Sequence, residues 1–397
     1  MLSLSMIVRD EAAQIEDCLR SVQGFVDEMV VVDTGSTDNT VALAQAMGAR
    51  VERIEWPGDF APARNQALTW VSGDWVLVLD ADERLRPEAM APLRALMAQP
   101  DVLLINLLRH ERGAVQSPYS NVSRLFRRHP AIRWSRAYHS MVDDSVAELL
   151  QQDSHWRIAD CPEPALLHDG YRPELLAQGN KPQRLREAME AELLERPGDP
   201  YACAKLGSLE VAEGNLERGT ALLRQGLAQC TAEAHPERYE LLLHLALAEA
   251  ARDPAAAVAL YREALALPLA PRLNLAARLN LAALLLQQGQ PQEAEALCQR
   301  ATAAAPEISL GWYSLGLIRR RLGDIAGALE AYREARRLQP EHAETHQNLA
   351  VALLLGGDID GARSSFRQAI ALLNQQGRNG EAAQLRQQAG AMVKLED

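Results

Sequence analysis

Apolar runs and amphipathic stretches alternate through the first part of this 397-residue chain. SLSMIV (Ser3 to Val8) is a short apolar strand, and residues 11–24 follow as a helix with Ile15, Leu19 and Val22 on one face. EMVVVD (Glu28 to Asp33), rich in β-branched valine, is a second strand. TGSTDNT turns the chain, and Val41 to Met47 returns as a helix ending at Gly48. ARVERIEW predicts a third strand, a helix runs from about Pro62 to Val71, and WVLVLDADE (Trp75 to Glu83) is a fourth strand. Strands alternating with helices of this length predict βαβ units and a parallel sheet. Residues 101–175 are less regular, with a strand at Val102 to Leu108 and a basic RLFRRHPAIRW segment.

From about residue 183 the pattern changes to helices rich in alanine and leucine, with a repeat. Gly289, Gly323 and Gly357 recur at a step of 34, as do Ala294, Ala328 and Ala362. Ala301, Ala335 and Ala369 keep the same step, and so do Leu281, Leu315 and Leu349. An earlier copy fits loosely through Leu206, Gly214, Gly219 and Gly226, and another near 235–268 needs a small insertion. A helix–turn–helix of this period, with small residues at close-packing positions, is the tetratricopeptide pattern. About five repeats are expected, over 181–397, forming a solenoid that binds an extended peptide or serves as a buttress or dimerisation surface.

Composition narrows the function. The net charge of -12 argues against general nucleic-acid binding, which needs a basic face. Residues 1–175 hold 17 Arg and Lys against 26 Asp and Glu, a balance of -9. The five cysteines (Cys18, Cys161, Cys203, Cys230, Cys298) are widely spaced without a CxxC, which suits neither a disulfide framework nor a zinc site. No apolar run is long enough to span a bilayer, and the opening MLSLSMIVRDE is a poor signal peptide. These features predict a cytoplasmic protein without an integral membrane segment.

The chemistry gathers where strands end. In parallel α/β sheets ligands sit at the carboxyl ends of strands, and two acidic stops fall there. Asp33 precedes a Gly/Ser/Thr turn and can accept hydrogen bonds from a ribose or base, while Asp38 or Ser36 caps the next helix. Asp80 and Asp82 stand at i and i+2, where their oxygens can share one divalent cation that bridges a diphosphate. The alternative is a helix cap at Asp82 and a solvated turn at Asp80.

The series SLSMIVRDE, VDEMVVVDTGSTDNT, WPGDFAPARNQAL and GDWVLVLDADERL resembles family-2 glycosyltransferases of the GT-A fold. It is most similar to the branch joined to tetratricopeptide repeats, which includes bacterial peptide and protein glycosyltransferases. The resemblance covers roughly residues 1–180 and implies a Rossmann-like, mostly parallel sheet, with an all-α repeat domain over 181–397. It implies a nucleotide-diphospho-sugar donor, most often a UDP-sugar, together with Mn²⁺ or Mg²⁺ and inversion at the anomeric carbon. By motif, Asp33 meets the uridine part, and Asp80 and Asp82 meet the ribose and the metal. Arg9, Asp10 and Glu11 border the nucleotide cleft. Arg64 and Asn65 occupy an ARN motif beside the base or the DAD loop, and Arg124 contacts phosphate or acceptor.

His139 matches a histidine that relatives follow with Glu; Ser140 stands there instead, so Asp143 or Asp144 is the substitute candidate for the general base. His168 completes the metal shell, touches the diphosphate, or is a hydrogen-bonded histidine at the domain junction. Lys181 and Arg184 close over the phosphates or are solvated helix charges. The acceptor implied is a protein or peptide held by the repeats. The rivals are an envelope polysaccharide or lipid-linked glycan as acceptor, a non-catalytic repeat scaffold with a degenerate cleft, and a nucleotidyltransferase.

Overall fold

The computed structural model describes residues 1–114, 117–136, 140–170 and 181–395. They fall into two compact units, Met1–Gln229 and Cys230–Asp397. The first is built on eight strands: β1 (Leu2–Val8), β2 (Glu28–Asp33), β3 (Arg50–Arg53), β4 (Trp75–Val78), β5 (Glu83–Leu85), β6 (Val102–Glu111), β7 (Tyr119–Arg127) and β8 (Arg157–His168). They form one sheet in the order β3-β2-β1-β4-β7-β6-β8-β5.

The β3-β2-β1-β4 half is parallel, as βαβ crossovers demand. Beyond β4 the sheet turns mixed: β7 runs antiparallel to β4 and to β6, β8 parallel to β6, and β5 antiparallel to β8. Helices α1 (Ile15–Val22), α2 (Thr40–Ala46) and α4 (Pro87–Met97) cover one face, over Leu2, Leu4, Met6, Leu77 and Ile105. Helices α3 (Phe60–Leu68) and α5 (Asp143–Gln152) cover the other, over Val30, Val32, Val76, Val78 and Phe126. Helices on both faces of a largely buried sheet are the GT-A, Rossmann-like architecture expected.

Two details differ from the sequence pattern. WVLVLDADE is not one strand. Pairing stops at Val78, Glu83 donates its N–H to the Asp80 carbonyl at 3.0 Å, and the turn sends Glu83 into a second strand beside β8. The region after residue 101 is more regular than its pattern suggests, because β6 and β7 form a long antiparallel pair.

The first unit also holds helices α6 (Lys181–Glu195), α7 (Pro200–Ala212) and α8 (Leu216–Gln229). Arg136, in the left-handed region at φ 69°, ties them to the sheet. Its guanidinium reaches Asp144 (3.2 Å), Asp199 (3.0 Å) and Glu192 (3.9 Å), and stacks over Tyr201. Asp199 also caps α7 by accepting from the Ala202 N–H.

The second unit is helical throughout its described residues. Four helix pairs follow in order: α9 (His235–Glu249) with α10 (Pro254–Ala266), α11 (Leu275–Gln287) with α12 (Pro291–Ala304), α13 (Ser309–Leu322) with α14 (Ile325–Leu338), and α15 (Ala343–Leu355) with α16 (Ile359–Gln375). Helix α17 (Asn379–Gly390) packs on the last. The repeating Leu281, Leu315 and Leu349 are buried, as are all six repeating alanines, which let adjacent helices approach closely. Gly289, Gly323 and Gly357 all take positive φ where the first helix of a pair ends. No helix among the described residues is long and apolar enough to cross a membrane.

Candidate active site

The carboxyl ends of β1, β2 and β4 come together where the chain leaves β1 towards β2 on one side and β4 lies on the other. Two loops make one wall. Asp10 stands in the left-handed region at φ 54° and accepts from the Thr37 and Asp38 N–H groups at 2.7 and 3.3 Å. In return, the N–H groups of Asp10, Glu11 and Ala12 donate to Ser36, Thr40 and Asp38. Asp38 also accepts from the Thr40 N–H at 2.9 Å, one residue ahead of Asn39, which is the N-cap of α2. Arg9 is exposed at the rim. Asp33 is buried at the end of β2, accepts from the Ser36 N–H at 3.0 Å and pairs with Arg53 at 3.8 Å. Glu11 is partly buried beside the acidic turn; desolvation and the charges of Asp82 and Asp80 raise its carboxyl to about 7.

Asp80 lies between two buried guanidiniums. Arg64 holds one carboxylate oxygen at 2.6 Å and Arg124 the other at 2.7 Å. Burial opposes ionisation of Asp80, but the two arginines outweigh it and hold the carboxyl far below the usual range. Both guanidiniums also face the Trp134 ring, at 4.8 and 5.8 Å. Arg64 Nε and Nη1 and Arg124 Nη1 are buried without a hydrogen-bond partner in the protein. These are donors that an anion or a carbonyl could fill. Asn65 faces away from them: its amide donates to the Trp134 carbonyl at 2.9 Å and accepts from the Trp134 N–H at 2.7 Å, clamping the tryptophan's backbone.

Asp82 takes a different partner. Its carboxylate lies 3.1 Å from His168 Nε2, while His168 Nδ1 meets Glu111 Oε2. Glu111 is buried; its other oxygen pairs with Arg109, and Arg109 in turn pairs with the fully buried Glu83 at 2.6 Å. Burial works against a charged imidazole, but the hydrogen bonds that Asp82 and Glu111 accept from it raise His168 to about 9. Burial likewise works against Glu111, yet His168 and Arg109 lower it to about 2.

The neighbouring acids Asp143 and Asp144 diverge. Asp143, at the start of α5, stays open to solvent and accepts from Ser123 Oγ at 2.7 Å; the protein crowded around it raises its carboxyl above the ordinary value. Asp144 is lowered to about 2: burial resists, but bonds from Arg136 and Ser135 prevail, with Arg196 adding to them. His139 and the Lys181 side chain lie outside the described residues, and Arg184 is exposed on α6.

Residues 3–157 match the family profile of glycosyl transferase family 2, and residues 248–313 and 313–377 match two tetratricopeptide-repeat profiles. A TPR repeat-containing protein of Synechococcus elongatus is 44% identical over 395 residues, covering 98% of this chain and 97% of that one. An uncharacterized glycosyltransferase of Rickettsia bellii is 30% identical over 214 residues, covering 48% of this chain and 72% of its own. The chain belongs to glycosyltransferase family 2. Among solved structures, the TPR protein YrrB aligns with 50% of this glycosyltransferase and 99% of its own chain, at 18% identity and a TM-score of 0.40.

Family-2 glycosyltransferases generally use nucleotide-sugar donors and often a divalent cation, so the acidic turn of this glycosyltransferase must be tested for one. Among the described residues no three His, Cys, Asp or Glu side chains form a complete metal cage. Two donors do converge. Oxygen and nitrogen 3.1 Å apart match adjacent positions on an ion with bonds of about 2.1 Å. Gly170 keeps the space beside them clear, since a Cβ there would stand 2.5 Å from His168 Nε2 and 3.4 Å from Asp82 Oδ2. Asp82 and His168 therefore offer two donors that fit a cation, which would need its remaining ligands from outside these side chains. Asp80 does not offer itself in the same way, because both of its oxygens hold arginines. Gly170→Ala is expected to weaken Mn²⁺-dependent UDP binding at least tenfold, measured by calorimetry, while UDP binding without metal changes little.

Glu83 is visible in the sequence as the last acid of WVLVLDADE, but its partners Arg109 and Glu111 were not legible as part of the site. Their one signal is RHE ending an apolar strand, a charge cluster at the mouth of a core like that of the DAD turn.

Proposed function

We propose that this glycosyltransferase transfers a sugar from a UDP-sugar to a protein or peptide acceptor, with inversion at the anomeric carbon. The observation that carries the reading is the division of labour in the DAD turn: Asp80 is neutralised by Arg64 and Arg124, whereas Asp82 pairs with an imidazole against which Gly170 packs without a side chain. Asp33 would take the uridine part, with Arg9 and Glu11 bordering it. Arg64 and Arg124 would present their unpartnered N–H groups to the ribose or diphosphate oxygens, and Asn65 would hold Trp134 behind them.

Asp82 and His168 would hold Mn²⁺ or Mg²⁺, which when bound supplies Lewis-acid neutralisation of the leaving diphosphate. The acceptor's nucleophile forms the new bond to the anomeric carbon as the bond from that carbon to the diphosphate oxygen breaks, the electron pair leaving with UDP. Asp143 would receive the acceptor's proton: its carboxyl is solvent-open, raised in basicity and accepts from the Ser123 hydroxyl, with no guanidinium holding it among the described residues. Asp144 is a poorer base, because its lone pairs serve Arg136, Arg196 and Ser135. The tetratricopeptide repeats support a polypeptide acceptor, since stacked helix pairs offer an extended surface for peptide chains.

Calorimetric titration with UDP, UDP-glucose and UDP-N-acetylglucosamine, with and without Mn²⁺, tests the donor reading. Expected are binding strengthened by Mn²⁺ and a slow, chelator-sensitive hydrolysis of at least one sugar nucleotide. Absence of binding to any of them, with or without the metal, would remove the donor assignment.

A further inference from the structure

Glu111 lies outside the family motifs, between the DADERL stretch that ends at Leu85 and the later Arg124, yet the fold brings it into the acidic turn. Glu83, His168 and Glu111 occupy matched positions on three adjacent strands: Glu83 is in register with His168 on β8, and His168 with Glu111 on β6. Arg109 precedes Glu111 by two residues and so shares its side of the sheet. Side-chain contacts then close a ring. The Asp80 N–H donates to Glu83 Oε2 at 2.9 Å, and Glu83 Oε1 holds Arg109 at 2.6 Å. Arg109 Nε holds Glu111 Oε1 at 2.8 Å, Glu111 Oε2 holds His168 Nδ1, and His168 Nε2 returns to Asp82. The two ends of the Asp80-Ala81-Asp82 turn are thus joined through the interior.

A buried ion pair such as Arg109–Glu111 is by itself weak evidence of a purely stabilising role. A carboxylate on Nδ1 does something more specific, since it keeps a proton on Nδ1 and so leaves Nε2 as the nitrogen that can exchange its proton for a cation beside Asp82. We infer that Glu111 is a positioning residue: it fixes the tautomer and orientation of His168 so that Nε2 and Asp82 together present a two-donor cation site, with Arg109 holding Glu111 in place. This rests on the proposal above that a cation sits between Asp82 and His168.

The test measures Mn²⁺ binding to the full chain in the presence of UDP, by the electron paramagnetic resonance of free Mn²⁺. Glu111→Gln is expected to weaken Mn²⁺ by 10- to 100-fold, the range found when such outer partners are removed, while metal-free UDP affinity is unchanged. In ¹⁵N-histidine spectra of the unmutated chain with UDP and Mg²⁺, the His168 signal, assigned by its loss in His168→Gln, should show Nδ1 protonated and Nε2 without a proton. This second measurement needs no Glu111 variant to fold. Failure of the unmutated chain to take up Mn²⁺ overturns the cation reading and this inference together. Normal uptake with Glu111→Gln unaffected, or a proton found on Nε2 in the complex, overturns the role of Glu111 alone.

Discussion

Asp82→Asn is expected to lower sugar transfer, and the slower hydrolysis of the donor, by two to three orders of magnitude, equivalent to about 3–4 kcal/mol of transition-state stabilisation. Asparagine keeps the size of the side chain and one oxygen but removes the charge that a divalent ion requires. The loss should concentrate in metal-dependent steps: Mn²⁺ would no longer strengthen UDP binding, and raising its concentration would restore little. The fold should survive, because Asp82 is partly exposed and its backbone carbonyl still accepts from the Asp169 N–H. Circular dichroism and the unfolding midpoint check this. A variant that unfolds normally, yet hydrolyses and transfers like the unmutated enzyme, would separate the DAD turn from metal chemistry.

Asp143→Asn should lower kcat by about 10²- to 10⁴-fold, the contribution of a well-placed general base, with little change in the KM for the donor. Asparagine can keep the contact to Ser123, so the substitution tests proton transfer more than packing. The pH dependence has a definite sign. The base works as the carboxylate, and crowding raises its pKa above the ordinary 3.8. The rate should therefore be full well above that raised value and fall as pH drops through it. This acid limb should appear at a higher pH than for a free carboxylate, and it should vanish from the residual rate of the variant. Glu11, raised to about 7, belongs to the nucleotide side. Its protonation should appear in donor binding, hence in kcat/KM, not in kcat. An unchanged kcat in Asp143→Asn would move the base elsewhere.

Much of this molecule is legible in its sequence because the governing interactions are local or periodic. Valine-rich runs and amphipathic spacing locate β1, β2 and α2 to within about a residue and find the middle of α1, since burial of one face imposes its period on the chain. Gly323 at the end of α13 and Ala328 in α14 are equally plain, because left-handed backbone and close helix contact each accept few side chains. The acids that stop β2 and β4 are also visible, as charges have no place inside a parallel sheet except at its ends.

What only the tertiary structure decided is how those charges are shared. Asp80 and Asp82 are two residues apart and chemically identical in sequence, yet one is taken by Arg64 and Arg124 and the other faces His168, 86 positions away. Asp143 and Asp144 divide likewise, one left basic and open, the other bound by Arg136 and Arg196. Arg109 and Glu111 enter the site through strand register. The physical reason is common to all of them: hydrophobic periodicity acts over a few residues along the chain, whereas the state of a carboxylate depends on which partners and how little water the fold places within a few ångströms of it.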